Sequence, residues 1–500
     1  MHPLPRTFAI AAALVLLGTG SALWTWTPTH VDRPHVAATE HLGLGETAAA
    51  PPAEEPTAPV ASMLSPKQMQ EDLAHFVRVL EDVHPDPYHY TSKRTIRRLY
   101  QQTLARLDTP RSTRAFYAEA ARLAAAFGDG HTQIQWPRPV FLKSMRESDR
   151  VLPFRVERTS AGLRVTRGCK EALNLTGSRV TRLGDLRAEQ LHDDLQRLLS
   201  GTPRYRSAQA DAYFPWLAWA LGLEAPFRVS ITNEPLAGVG SVTAPAHTDT
   251  LQGLTMLGVQ SCLAEGRKPP VSFERRDSPR GSIVGVLTVR SLTQPRRVER
   301  GVQNALRSVE ANPVDGIVID LRDNHGGATQ AAVHVLAPFT RQRVKLTRQK
   351  SWKISDTYKA YLRTRGLDGS GYLRARSGKT IDIEYDAEEL PNVRYRFDGP
   401  VSVIVGARTF SAAVKLADAA QHYGIATIIG SETGGRPSSF GEGYRFRLPH
   451  SNLQAMASTA YFVRLNGRES GRGVIPDISV PDVTVGTTDL ALETAIQKTF

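Results

Sequence analysis

From Ser65 onward the chain alternates between two hydrophobic periods. Met69, Leu73, Phe76, Val77, Leu80 and Val83 recur at helical spacing, after a Ser65 cap and a proline at the first helical position. His84-Pro85 stops that helix, and further helical patterns cover Ile96–Leu107 and Ser112–Ala126. In the middle of the chain Leu152–Val156 and Leu163–Thr166 read as a strand pair turning at Ser160-Ala161-Gly162. Leu191, Leu195, Leu198 and Leu199 mark an amphipathic helix. From residue 281 short apolar runs alternate with helices. Ile283–Val289, Gly316–Leu321, Val401–Val405 and Ala426–Ile429 predict strands. Val298–Val309, Thr329–Leu336 and the stretch from Ser411 to Gln421 predict helices. That alternation argues for βαβ units on a mainly parallel sheet, hence an α/β core.

The residues ahead of Ser65 follow a different logic. Arg6 precedes an apolar run from Phe8 to Leu17 and a small-residue end at Gly20-Ser21-Ala22, the layout of a secretory signal. Continued through Trp24 and Trp26, the same run is long enough for an uncleaved anchor. Residues 1–27 are therefore a signal peptide or a membrane anchor, and the body is expected outside the cytoplasm. Residues 28–62, rich in Pro, Ala, Thr and Glu, read as a disordered linker. A helical N-terminal domain over 63–137, a middle segment over 138–270 and an α/β core over 271–500 complete the expected organisation. The middle segment has the strand and helix content of a PDZ-type peptide-binding module, without a recognisable carboxylate-binding loop.

Composition narrows the function classes. Of 500 residues, 41% are hydrophobic and 22% charged, an ordinary globular balance that excludes a polytopic membrane protein, collagen and a wholly disordered chain. The net charge is +13, but the arginines are scattered rather than blocked, so a nucleic-acid partner is not expected. Two cysteines, Cys169 and Cys262, are too few for a disulfide scaffold or a structural zinc site; outside the cytoplasm they have the option to pair. Two nominal phosphate or dinucleotide motifs fail on context. Gly43-Leu44-Gly45 lacks a preceding strand, and Ser377-Gly378-Lys379-Thr380 lacks the upstream glycine. No cofactor and no metal is expected.

Two junctions carry candidate chemistry. Gly326-Gly327 lies where an apolar strand meets a helix, and such a glycine pair suits a tight turn or an anion-binding backbone site. Ser411 lies at a second strand-to-helix turn, where a serine is either a helix cap or an exposed nucleophile; it lacks the Gly-x-Ser-x-Gly pattern. His131 follows two glycines in Gly128-Asp129-Gly130-His131-Thr132.

The order of these motifs changes their weight. Gly128–Thr132, Ile319–Gly327, Thr409–Ala413, Gly430–Arg436 and Gly473–Ile478 follow one another in a sequence that resembles the tail-specific (C-terminal processing) serine peptidases, over roughly residues 65–482. The resemblance implies a crotonase- or ClpP-like α/β peptidase core and a peptide or protein substrate. It makes Ser411 the nucleophile. Where the tail-specific branch has a lysine base, this chain has Arg436, whose guanidinium stays protonated and cannot serve as a base. The tricorn-core-like branch instead implies His131 as general base and Glu469 as the carboxylate that orients it. Backbone N–H groups of Ala412 with Gly326 or Gly327 would form the oxyanion hole. His325 stands where the family more often has glycine, and is either a second base or a residue that narrows the oxyanion loop. A catalytically inactive relative that binds peptides or hydrophobic ligands, and a crotonase-like acyl enzyme, are the alternative readings.

Overall fold

The computed structural model describes residues 63–135, 149–232, 246–263, 268–366, 371–481, 484–485 and 488–499. The expected signal or anchor and its linker lie outside the described residues.

Ser65 caps the first helix, Pro66–Val83, through a reciprocal capping box with Gln68. Its apolar stripe buries Met69, Leu73, Phe76, Leu80 and Val83. Each such side chain contributes about 1.5–3 kcal/mol when removed from water. Asp72, on the same face, is wholly buried and accepts hydrogen bonds from the backbone N–H groups of His450 and Ser451, both at 2.8 Å. A helix in the N-terminal segment thus grips a turn near the other end of the chain. Helices Lys93–Arg106 and Thr113–Ala125 follow, and both begin on a serine cap.

The middle segment is an antiparallel sheet in the order Phe154–Thr159, Gly162–Gly168, Arg179–Leu183, Phe227–Thr232, His247–Leu251. The first two strands make the expected hairpin. Cys169 and Cys262 are joined by a disulfide. Helices Ala188–Gln196, Pro203–Ala212 and Phe214–Ala220 belong to the same segment.

The α/β core carries a six-stranded sheet in the order Val271–Asp277, Ile283–Val289, Gly316–Asp320, Val401–Val405, Thr427–Gly430, Ile478–Ser479. All neighbours pair in parallel except the first two. Val401–Val405 is buried along its whole length, as a central parallel strand requires. Helices Pro295–Ala311, Thr329–Leu336 and Ala412–His422 connect these strands.

A second, antiparallel sheet is inserted between them, in the order Thr380–Glu384, Gln349–Lys353, Gln454–Val463, Ser439–Arg447. Its long strand Gln454–Val463 also receives Gln133–Ile134, with Ala455 opposite Ile134 and Met456 opposite Gln133. This pairing carries the segment that follows His131 onto the face where Ser411 lies. One hydrophobic cluster runs from Leu64 and Phe76 through the middle sheet to Ala457 and Phe462, so the N-terminal helices, the middle segment and the second sheet share a core.

Candidate active site

Ser411 stands at the end of a turn that is fixed from several sides. Thr409 ties its backbone N–H to the carbonyl of Gly406 at 2.9 Å, and its hydroxyl to the carbonyl of Leu321 at 2.8 Å. Phe410 N–H donates to the carbonyl of Asn324 at 3.0 Å. Ser411 itself has φ 54° and ψ −125°, a conformation that L-residues rarely adopt and that costs about 1–3 kcal/mol. The turn therefore has the strained strand-to-helix form of a nucleophile elbow, without the glycine-flanked sequence that usually marks one. Its side chain makes no capping bond to the helix that follows. The hydroxyl is instead 3.0 Å from Nε2 of His131.

His131 is held by its own turn. Its backbone N–H donates to Oδ1 of Asp129 at 3.0 Å, and its ring lies 4.8 Å from that of Phe410. The backbone of Phe440 also acts on this ring, in the direction that favours its proton. A donor at Nδ1 leaves the Nε2 lone pair for the Ser411 proton. Burial lowers the pKa of this imidazole; Lys415 lowers it further and Asp129 opposes the shift. The ring is neutral near pH 7, the state a general base needs.

Asp129 is the residue that the sequence reading passed over. Its Oδ2 accepts from the hydroxyls of Thr132 and Ser458, both at 2.6 Å, and lies 3.3 Å from Nε2 of His84. Burial alone would raise its pKa. The hydrogen bond from His84, the nearby imidazoles and the Ser458 hydroxyl outweigh that and hold it well below the usual carboxylate range. Asp129 is thus a buried, ionised carboxylate 4.0 Å from Nδ1 of His131.

Glu469 is not in that position. Among the described residues no hydrogen bond or ion pair joins it to His131; its carboxylate is about half exposed and lies 4.0 Å from Nε2 of His89. The His89 ring packs against Phe440 and Tyr461, so an aromatic cluster stands beside Glu469 where the catalytic histidine was expected. Arg436 also stays apart from Ser411: its guanidinium lies over the Tyr90 ring and donates to the carbonyl of Gly471.

The glycine pair meets the serine turn directly. A Cβ on Gly326 would lie 2.7 Å from Cβ of Ser411 and 2.8 Å from the nitrogen of Ala412, and its φ is 87°. Both contact and conformation therefore require glycine. Its N–H, however, is used by Oδ1 of Asn324 at 2.8 Å, which removes Gly326 from the expected oxyanion donors. Its carbonyl accepts from Leu292 N–H at 3.0 Å. In a trans peptide the next N–H points the opposite way, so Gly327 N–H is turned from Leu292 while Gly327 lines the cleft. Ala412 is the first residue of its helix, where backbone N–H groups have no partner within the helix. Gly327 and Ala412 are the donors that the geometry leaves for an oxyanion.

Buried Asn324 organises both turns. Its amide donates to the carbonyl of Val289 at 2.8 Å, its side-chain oxygen holds Gly326, and its carbonyl holds Phe410. His325 is engaged on both ring nitrogens: Nδ1 lies 3.1 Å from the Gln209 amide and Nε2 lies 3.1 Å from Arg408. Burial, then Arg408, lowers its pKa to about 4.

Ser411, His131, Gly327 and Ala412 line one cleft of about 1100 Å³. Leu198, Trp216 and Leu217 of the middle segment and Phe440, Met456 and Phe462 of the second sheet supply much of its apolar wall.

Residues 283–480 match the family model described as Peptidase family S41. His131 lies outside that stretch. A carboxyl-terminal-processing protease of Picosynechococcus sp. is 25% identical over 228 residues, 45% of this chain and 46% of that protein. The chain thus spans about half the length of the curated relative it matches. Among solved structures, mature CPAF complexed with lactacystin aligns with a TM-score of 0.60 at 13% identity, covering 87% of this chain and 97% of that one. A mutant of CPAF aligns at 0.65 and 12%, covering 87% and 95%. These structures share the fold. The core of the chain, residues 283–480, is a peptidase family S41 domain, and the chain is a homologue of the carboxyl-terminal-processing proteases.

Proposed function

We propose that this protein is an exported serine peptidase that hydrolyses peptide bonds of a peptide or protein substrate through an acyl-enzyme on Ser411. The observation that carries the reading is the 3.0 Å approach of His131 Nε2 to the Ser411 hydroxyl. His131 takes the serine proton as Oγ attacks the scissile carbonyl. The carbonyl oxygen becomes an oxyanion between the N–H groups of Gly327 and Ala412. The imidazolium then gives its proton to the leaving amine, and a water activated by the same ring releases the acyl group. Export rests on the signal or anchor pattern of residues 1–27, which would also supply a membrane tether if uncleaved. The name of the curated relative suggests that the substrate is processed near its carboxyl terminus.

The test uses a fluorophosphonate probe on the purified protein, with the label located by mass spectrometry. Label on Ser411, lost in Ser411→Ala and strongly slowed in His131→Ala, is the expected result. A folded protein that takes no label, or that labels equally fast without His131, overturns the reading and favours a non-catalytic peptide-binding role.

A further inference from the structure

We propose that Asp129, not Glu469, is the carboxylate that positions His131 and supports its protonated state. This deepens the proposed function and rests on it.

The placement follows from the hydrogen bonds. Oδ2 of Asp129 has the Thr132 and Ser458 hydroxyls at 2.6 Å and His84 at 3.3 Å. His84 Nδ1 accepts from the N–H of Asp86 at 3.1 Å, so its Nε2 carries the proton that it offers to Asp129. These donors come from the end of the first helix, from the His131 turn and from strand Gln454–Val463. Oδ1 is left with the backbone N–H of His131 at 3.0 Å and faces Nδ1 of the same residue at 4.0 Å. One oxygen anchors the carboxylate to three structural elements; the other addresses the histidine.

The Phe440 backbone also favours a proton on the ring. Asp129 supplies the negative charge. When His131 accepts the serine proton, a positive ring forms in a buried site with Lys415 also acting against it. An ionised carboxylate at 4.0 Å offsets that cost, and in a low-dielectric interior the attraction is strong. Glu469, half exposed and beside His89, is screened by solvent, and among the described residues no hydrogen bond or ion pair joins it to the ring. The titratable or charged groups facing the His131–Asp129 pair are His84, Tyr90 and Lys415. None of the three supplies the missing negative charge near pH 7.

The readout needs no knowledge of the natural substrate. The second-order rate of fluorophosphonate labelling of Ser411 is measured against pH in wild type, Asp129→Asn and Glu469→Gln. Asp129 raises the His131 pKa, so its neutral replacement is expected to move the acid-side midpoint down by about one pH unit and to lower the plateau by ~10-fold or more. A shift of that kind in Glu469→Gln and its absence in folded Asp129→Asn overturns the proposal. A merely structural role would lower the plateau and leave the midpoint in place, and that result overturns it too. If Asp129→Asn does not fold, Ser458→Ala gives the second test. It keeps the carboxylate and removes one donor, which leaves more charge directed at the imidazole. Its midpoint is expected to rise, and an unmoved midpoint overturns the proposal. Failure of the peptidase reading looks different: wild type itself takes no label.

Discussion

His131 and Ser411 are 280 positions apart in the chain and 3.0 Å apart in the fold. The contact exists because Gln133–Ile134 joins the strand Gln454–Val463 and because Asp129 bonds Ser458 on that same strand. The helix Ala412–His422 hangs from the neighbouring parallel sheet. Two sheets, each built without the other's hydrogen bonds, set the distance on which general-base chemistry depends.

The pH dependence follows from the direction of two shifts. His131 is neutral down to a pH below its ordinary 6.5 because burial disfavours its charge. Ser411 labelling should therefore rise with pH along an acid limb centred below 6.5 and be near its plateau at pH 7. Stability responds to the same acidification. His325 titrates near 4 when folded and near 6.5 when unfolded, so between those values the unfolded chain binds more protons. The contribution of His325 to stability is present in full above about 6.5 and is lost as pH falls toward 4. Labelling rates and denaturant midpoints over pH 4–8 check both statements.

Gly326→Ala tests the close approach of the two turns. The added methyl meets Cβ of Ser411 at 2.7 Å and the nitrogen of Ala412 at 2.8 Å, and the residue must also keep φ 87°. The backbone cannot yield as a flexible side chain would, so the serine and its neighbouring oxyanion donor move together. Labelling should fall by ~100-fold, the effect of losing one oxyanion donor. The melting temperature should also drop, since positive φ at a non-glycine residue costs ~1–3 kcal/mol.

Asn324→Ala should act on the same site from underneath. It removes the amide donor to Val289 and the acceptor for Gly326 from a fully buried position. Two buried backbone groups lose their partners, at about 1–3 kcal/mol each. Chemical denaturation should report the stability loss, and the labelling rate should fall because Gly326 N–H is released to reorient.

Reducing the Cys169–Cys262 bond tests a different region. The bond spans 93 residues of the middle segment. Removing a crosslink over a loop of that size typically costs 2–5 kcal/mol, mainly by freeing the unfolded chain. Cys169→Ser with Cys262→Ser should lower the denaturant midpoint by an amount in that range.

The sequence exposed those parts of the fold whose signal is local. Val401–Val405 and Ile283–Val289 are short apolar runs in a buried parallel sheet, and their limits agree with the expected ones. The second sheet was not legible: Gln349–Lys353 has a single apolar side chain, Trp352, Thr380–Glu384 alternates exposed and half-buried residues, and Gln454–Val463, the strand that ties Gln349–Lys353 into the sheet, lies about a hundred positions away in the chain. The site shows the same division. Ser411, His131 and Gly327 occur in recognisable turns. Asp129 occurs in one of those turns too, but its meaning depends on Ser458, 329 positions later. Motif order suggested Glu469, and the aromatic packing of His89, Phe440 and Tyr461 beside it is a tertiary fact that no spacing encodes. The strained backbone of Ser411 was equally hidden, because in place of glycines the turn around it is held by the bonds that Thr409 donates and by the carbonyl of Asn324, which accepts from Phe410 N–H.

His325 was open to two readings, and its partners separate them. Arg408 has only donors to offer, so His325 Nε2 must accept, and Nδ1 carries the proton. The Gln209 amide nitrogen faces that Nδ1, while its oxygen is buried without a partner. Rotating the amide by 180° gives both groups a proper bond, and this is the arrangement that the chemistry selects. The ring is then a neutral strut between helix Pro203–Ala212, the serine turn and the glycine pair, with no free nitrogen for a second base. His325→Ala should lower Ser411 labelling, by ~10-fold if the loop loosens enough to misplace one donor partially. The acid-side midpoint should stay that of His131. A midpoint that moves with His325 would instead assign it a share of the proton transfer.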